Sequence, residues 1–289
     1  MSLAQARSTA VQPLPGGARY ATLLVHAEPG LQSSQRVEVA GRLARELGAH
    51  LIGVCAETLS PFMVSDPALG YVSDQRVVKL MEVLDQDLVA AETAFARDAG
   101  GADIQCRRLR DFPANALART ARAADLIVVS PKTGAPSALE ADPGEVIMRS
   151  GKPVLVVPPH AHRLRLDTIV VAWKDTREAR HAVAAALPFL LRAEEVVVLS
   201  ICDDNHAEEC LAQVEDVVAG LKRQGVRASA KVRPSKDGVI NELMRTLSDV
   251  DADLVVAGAY GHTRLQELVF GGVTEHFLRK PACFALMAH

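Results

Sequence analysis

Three glycines in one short stretch carry the most specific chemistry in this chain. Gly258 and Gly261 are separated by two residues, and Gly261 and Gly271 by nine. Gly272, Val273 and Thr274 follow directly. This set suits an anion. Glycine lets a backbone approach a phosphate closely and take positive φ. A helix beginning near Thr274 would aim free amides and the positive end of its dipole at the same point. The Thr274 hydroxyl is a further donor. A glycine-rich turn that merely packs tightly could have the same composition. Placement favours the phosphate reading, because 254–257 reads as a strand and open α/β sheets bind ligands beyond the carboxyl ends of their strands.

Other chemistry-bearing residues are weaker candidates. Trp173, the single tryptophan, could stack an adenine at a strand end or sit in a core or interface. His262 and His276 flank the glycines, but their spacing matches no metal motif. His160 and His162 form only an i, i+2 pair. Gly151-Lys152 resembles the end of a phosphate loop, yet no glycine stands five residues earlier and Pro153 follows, so that motif is rejected. No G-x-S-x-G turn supports a hydrolase triad. Asp125 and Asp253 precede strands and read as turn residues, not as catalytic acids.

The elements that must position the glycines come from a duplication. Ala124 to Val129 matches Ala252 to Ala257, and Lys152-Pro153 matches Lys280-Pro281, both at an offset of 128 with no net gap. In that register Gly258, Gly261 and Gly271 face Ser130, Thr133 and Pro143. The pattern suggests one working site and one retired site. Apolar runs at 22–25, 51–55, 104–107, 126–129 and 154–157 predict strands of the first half. Runs at 168–172, 196–201, 228–232, 254–257 and 283–287 repeat the order. Most lack alternation, as expected of parallel strands covered on both faces. Helical periodicity fills the gaps, clearest over 36–47 and 177–190. Ser33 or Ser34 is the expected cap of the former, Thr176 or Asp175 of the latter. Strand–helix alternation with right-handed crossovers predicts an α/β fold: two tandem, doubly wound, five-stranded parallel sheets.

The first strands align at an offset of 146, so the first half carries an 18-residue insertion, placed here at 59–76. Phe62, Met63, Leu69, Tyr71 and Val72 make it apolar for a surface loop, which suggests an interface flap or a lid. The expected organisation is a flexible tail at 1–18, a degenerate domain at 19–159, a basic linker at 160–166 and a ligand-binding domain at 167–289. Net charge is −3, with 49% hydrophobic and 23% charged residues. That gives no electrostatic case for nucleic acid or an anionic membrane. No apolar run reaches the roughly 20 residues of a membrane span, and 1–18 lacks an apolar signal-peptide segment. Five scattered cysteines without C-x-x-C point to a reduced, cytoplasmic setting.

Gly258-x2-Gly261-x9-Gly271 resembles the nucleotide-binding motif G-x2-G-x9-G-[ST] of the universal stress protein family, and the duplication makes the whole chain similar to a tandem member. The resemblance implies a Rossmann-like five-stranded sheet in each half. It implies ATP in the second half, with AMP or ADP as alternatives and Mg²⁺ accompanying ATP. It places phosphate on the Gly258, Gly261, Gly271, Gly272 and Val273 backbone and on Thr274, and base or sugar beside Ala172, Lys174 and Ile201. Two departures stand out. Gly272 occupies a position where the family prefers Ser or Thr, so a hydroxyl is lost while the amide remains. Lys174 stands where the first strand usually ends in Asp; it cannot accept a hydrogen bond but can attract phosphate as a point charge. The first half has His26-Ala27-Glu28 there, which argues against nucleotide on that side.

The expected function is a cytoplasmic stress-response protein, a signalling or protective module with one ATP and an unidentified protein partner. No general base is placed for hydrolysis, so at most a slow ATPase is expected. The alternative is a scaffold or apolar-ligand-binding stress protein with both sites degenerate, favoured by Lys174 and Gly272. An enzyme of the adenine-nucleotide α-hydrolase superfold is disfavoured, since no Ser-Gly-Gly loop follows either first strand. Single-domain relatives are expected to pair through their last strands. A tandem chain could satisfy that contact internally, through 154–157 and 283–287, as a pseudo-dimer, with a homodimer also open.

Overall fold

The computed structural model describes residues 19–58, 65–66, 70–71, 74–132, 139–261 and 272–289. Its strands are β1 (Thr22–His26), β2 (His50–Ala56), β3 (Ser65–Asp66), β4 (Gly70–Tyr71), β5 (Ile104–Leu109), β6 (Leu126–Val129), β7 (Val154–Val156), β8 (Thr168–Ala172), β9 (Glu195–Cys202), β10 (Ala228–Pro234), β11 (Leu254–Gly258) and β12 (Phe284–Ala288). Its helices are α1 (Leu31–Leu47), α2 (Asp74–Asp98), α3 (Pro113–Thr120), α4 (Pro143–Ser150), α5 (Arg177–Leu190), α6 (Ala207–Arg223), α7 (Val239–Asp249) and α8 (Gly272–Arg279).

Ten strands form one sheet in the order β10-β9-β8-β11-β12-β7-β6-β1-β2-β5. Each half contributes five parallel strands in the same relative order. The halves join where β12 runs antiparallel to β7, with Leu286 opposite Leu155. The two expected sheets are therefore a single continuous one. Burial explains why alternation is missing from the strand sequences. One apolar layer lies under α1, α2, α5 and α6, with Phe95 and Phe189 at its centre. The other lies under α3, α4, α7 and α8, with Ile147 and Phe277. The first face also locks the halves together. Tyr20 donates its hydroxyl to the Ala185 carbonyl at 2.5 Å and meets the Phe189 ring edge-on at 5.0 Å.

Asp125 and Asp253 are strand-end caps. Asp125 Oδ2 accepts the Ala21 and Thr22 amides, and Asp253 Oδ2 accepts those of Asp167 and Thr168. The 160–166 segment is tied down by Arg163 to Glu46 at 3.1 Å and Arg165 to Asp253 at 3.1 Å, with Leu164 buried.

Three expectations need correction. First, α1 begins at Leu31, and its cap position is Gly30 at φ 125 with no side-chain cap. Ser33 lies inside the first turn, where its hydroxyl accepts the Glu28 amide. Thr176 does cap α5, accepting the Ala179 amide at 3.2 Å. Second, the duplication is not gapless to its end. Ile127 pairs with Val154, while its equivalent Val255 pairs with Ala285, so the last strand of the second half lies three residues further along than the Lys-Pro match implies. Third, the insertion is not confined to 59–76. Leu51 pairs with Ile104 and Val196 with Ala228, which brackets the extra residues between β2 and β5. Part of the surplus lengthens α2 to 25 residues, against 17 in α6. Most of 59–76, and the apolar side chains named there, lie outside the described residues.

Candidate functional site

In each half the chain reverses its direction of travel across the sheet between the first and fourth strands: β1 and β6 in one half, β8 and β11 in the other. The crevice beyond the carboxyl ends of such a pair is where open α/β sheets hold ligands. The two crevices are built differently.

In the first half the crevice is filled from within. Arg36, on α1, is 2% exposed. Its Nε donates to the His26 carbonyl at 2.8 Å and Nη1 to Ser130 Oγ at 2.5 Å. Nη2 reaches Glu28 Oε1 at 3.3 Å and Ser33 Oγ at 3.2 Å. His26 Nδ1 lies 3.4 Å from Glu28 Oε2. The cavity left among His26, Glu28, Gln32, Arg36, Ser130 and Glu140 has room for about one water. The Arg36 guanidinium is pinned between the ends of β1 and β6 and fills this part of the crevice.

This cluster makes stability depend on pH. Burial, and secondarily the Arg36 charge, holds His26 well below its usual 6.5. Below 6.5 the unfolded chain takes up a proton that the folded chain refuses. Stability contributed by neutral His26 is therefore present above that pH and is lost as pH falls, by up to about 1.4 kcal/mol per unit. Glu28 has the opposite sign: burial raises its carboxyl, so its contribution is present at low pH and fades as pH rises. The expected result is a lower urea midpoint at pH 5.5 than at pH 7.5, with a smaller drop in His26→Gln. An equal drop in both proteins would assign the pH dependence elsewhere.

In the second half the equivalent positions are small. Both α1 and α5 start 146 residues apart, so Ala182 takes the place of Arg36, and Gly258 that of Ser130. The fully buried Ala182 faces the same apolar layer as Trp173. Register pairs Ala257 with Ala172 and Ala172 with Leu199. Ala172, Ile201 and Gly258 therefore lie at the carboxyl ends of three adjacent strands. Ala172, Ile201 and Val273 all pack against the second apolar layer. Lys174 is exposed just beyond β8, its carbonyl accepting the Thr176 amide at 2.7 Å. The helix α8 starts at Gly272, with Thr274 buried in its first turn. Gly271 and His262 lie outside the described residues.

The sequence allows positive φ at these glycines; neither Gly258 nor Gly261 takes it, while Tyr260 does, at 58°. Gly258 is required by packing: a Cβ there would stand 2.6 Å from the Ala179 nitrogen and 2.7 Å from the Glu178 carbonyl carbon. The start of α5 thus rests directly on the end of β11. At Gly261 the nearest described atoms to a Cβ would be Glu178 Oε2, at 3.0 Å, and the Thr176 side chain beyond it. At Gly272 it would meet Ile240 Cδ1 at 3.0 Å. Trp173 is buried in the α5/α6 layer, which answers its open reading in favour of core. His276 stacks edge-on against Phe277 at 5.6 Å, and its Nε2 is buried without a hydrogen-bond partner among the described residues.

Sequence reasoning missed three residues here. Glu178 is 4% exposed, bonded to Arg177, and places a carboxylate under Gly261. Tyr260 carries its hydroxyl into the space that a Cβ of Gly144 would take, so the glycine loop reaches the start of α4 in the other half. Lys132 makes the reciprocal contact, its amide donating to the Leu278 carbonyl at 2.7 Å. The only signal for these crossings was the repeat itself, which sets Lys132 and Tyr260 at one offset. Among the described residues no cluster of metal-ligating side chains is found, and no helix is long and apolar enough to cross a membrane.

No protein-family model matches the chain, and no curated protein matches it. Solved structures do. A universal stress protein from Archaeoglobus fulgidus DSM 4304 superposes with a TM-score of 0.67 at 15% identity, covering 92% of this chain and 95% of that one. A functionally unknown protein from Pseudomonas aeruginosa PAO1 gives 0.57 at 16%, covering 93% and 92%. A Pseudomonas aeruginosa UCBPP-PA14 protein provisionally assigned as a universal stress protein gives 0.57 at 17%, covering 93% of each chain. Along nearly its whole length, the chain has the fold of the universal stress proteins.

Proposed function

We propose that this chain is a cytoplasmic stress-response module that binds one ATP, at the crevice between β8 and β11 in its 167–289 domain. The 19–159 domain is the retired copy. The observation that carries the reading is the contrast between the crevices: Arg36 and Ser130 fill one, and Ala182 and Gly258 stand at the same positions in the other. Phosphate contacts fall to the backbone at Gly258, Gly261, Gly271, Gly272 and Val273 and to the Thr274 hydroxyl. Ala172, Lys174 and Ile201 border base and sugar. The exposed Lys174 adds a positive charge near the phosphates, so affinity falls with salt. Mg²⁺ would enter with ATP. The signalling output is a change in a protein partner's affinity, transmitted through Tyr260 to α4.

Gly261→Val tests the site, because its side chain blocks the loop while its nearest described neighbours are side-chain atoms of Glu178 and Thr176, not backbone. Calorimetry should detect ATP binding in the wild type and none, or binding weakened at least about 100-fold, in the variant, with the thermal midpoint nearly unchanged. Wild-type affinity in the variant would place the ligand elsewhere. A second reading, a scaffold with both sites degenerate, is favoured by Glu178, whose carboxylate lies beside the loop meant for an anion. It predicts no ATP binding by the wild type.

A further inference from the structure

Two thiols outside both crevices are placed to react with each other. Cys55, on β2, is fully buried, and Cys106, on β5, is half-buried. Their sulfurs are 3.4 Å apart. Register sets Cys106 opposite Gly53 and Cys55 opposite Arg108, so both side chains leave the same face of the sheet, diagonally across the two strands. Gly53 supplies the room. A Cβ there would stand 2.7 Å from the Phe95 ring, so α2 presses down at that point and leaves the two cysteines adjacent beside it. The strand β5 is the outer edge of the sheet, which opens Cys106 to solvent on one side.

We propose that Cys55 and Cys106 form a reversible dithiol–disulfide pair oxidised by hydroperoxides, with Cys106 as the attacking sulfur and Cys55 as the resolving one. The asymmetry fits the environments. Hydrogen bonding from Cys55 lowers the Cys106 thiol, aided by the Arg108 charge and the Arg107 amide, while the same contact and burial raise Cys55. Low-pKa, accessible thiolates beside a second thiol are the ones that peroxides oxidise reversibly. In the first step the Cys106 thiolate attacks one peroxide oxygen. The O–O bond breaks, Cys106 becomes a sulfenic acid, and hydroxide leaves, taking the proton released by the Cys106 thiol. In the second step Cys55 attacks the sulfenic sulfur. The S–O bond breaks and the Cys55 proton leaves with the hydroxyl as water. One hydroperoxide is reduced and two thiols are oxidised. Reaching the roughly 2.05 Å of a disulfide closes the 3.4 Å gap by a little over an ångström, and the diagonal placement asks β2 and β5 to shift as the bond forms.

The test uses the folded full-length chain treated with hydrogen peroxide and then digested without reduction. A peptide joining Cys55 and Cys106, two hydrogens lighter than the separate thiols and restored by dithiothreitol, is the expected product. In Cys55→Ser, which keeps a hydrogen-bond donor beside Cys106 but cannot form the disulfide, the same treatment should leave Cys106 as a sulfenic acid trapped by dimedone. Absence of the cross-link from the folded wild type would overturn the proposal, as would failure of dimedone to label Cys106 in Cys55→Ser. A Cys106→Ala protein that labels at Cys55 at an undiminished rate would reverse the assigned roles and overturn it as well.

Discussion

Replacing Arg36 with Met is expected to lower stability by about 3–5 kcal/mol, because it removes one partner from a buried ion pair and strands the other. Glu28 would keep an inward-facing carboxylate, and Ser130 would lose its donor. With roughly 2–4 °C of midpoint per kcal/mol in a chain of this size, the melting temperature should drop by about 10 °C. Substituting Glu28→Met together with Arg36→Met should recover much of that loss, since apolar replacement of a whole buried pair is often neutral. Scanning calorimetry of the wild type, Arg36→Met and the double variant checks the prediction. A single variant within about 1 kcal/mol of the wild type would mean that the Arg36 network does not hold the first crevice closed.

The second large effect concerns Gly258. Its nearest neighbours are backbone atoms of α5, which cannot rotate away as a side chain could. Gly258→Val should therefore force α5 off the end of β11 and destabilise the protein by at least about 1–3 kcal/mol, the usual cost of overpacking. Gly258→Ala should cost less but remain measurable. Urea denaturation distinguishes this from a ligand role: the loss must appear without any nucleotide present. If Gly258→Val matched the wild type without nucleotide, helix contact would not explain the glycine.

Much of the architecture was legible because the strands are buried on both faces. Unbroken apolar runs such as Leu126–Val129 and Thr168–Ala172 match the observed bounds residue for residue. Other features were illegible for physical reasons. Arg36 sits on α1 beside Val37 and Ala40, with nothing local to mark it as buried. Its burial depends on Ser130, 94 residues away, which only the fold brings near. The role of Gly258 was hidden because a phosphate and a helix backbone make the same demand, that no Cβ be present. The cap of α1 was misplaced because Gly30 supplies the turn through its backbone, leaving Ser33 free to bond Glu28 and Arg36. Sequence offsets put the insertion wholly into a loop because they fix only its flanking strands, and a lengthened amphipathic helix looks the same in such a count. The glycine spacing drew attention to the second half. The proposal that the second crevice is the working one, however, turns on Ala182, a residue with no chemistry of its own.

The most direct measurement is photoaffinity labelling of the folded chain with 8-azido-ATP, followed by peptide mapping. One label per chain is predicted, competed by ATP, on peptides holding Ala172 to Lys174, Ile201 or Gly258 to Thr274, and absent in Gly261→Val. Competed labelling around His26, Arg36 or Ser130, or labelling that ATP does not displace from the second half, would contradict a single working site between β8 and β11.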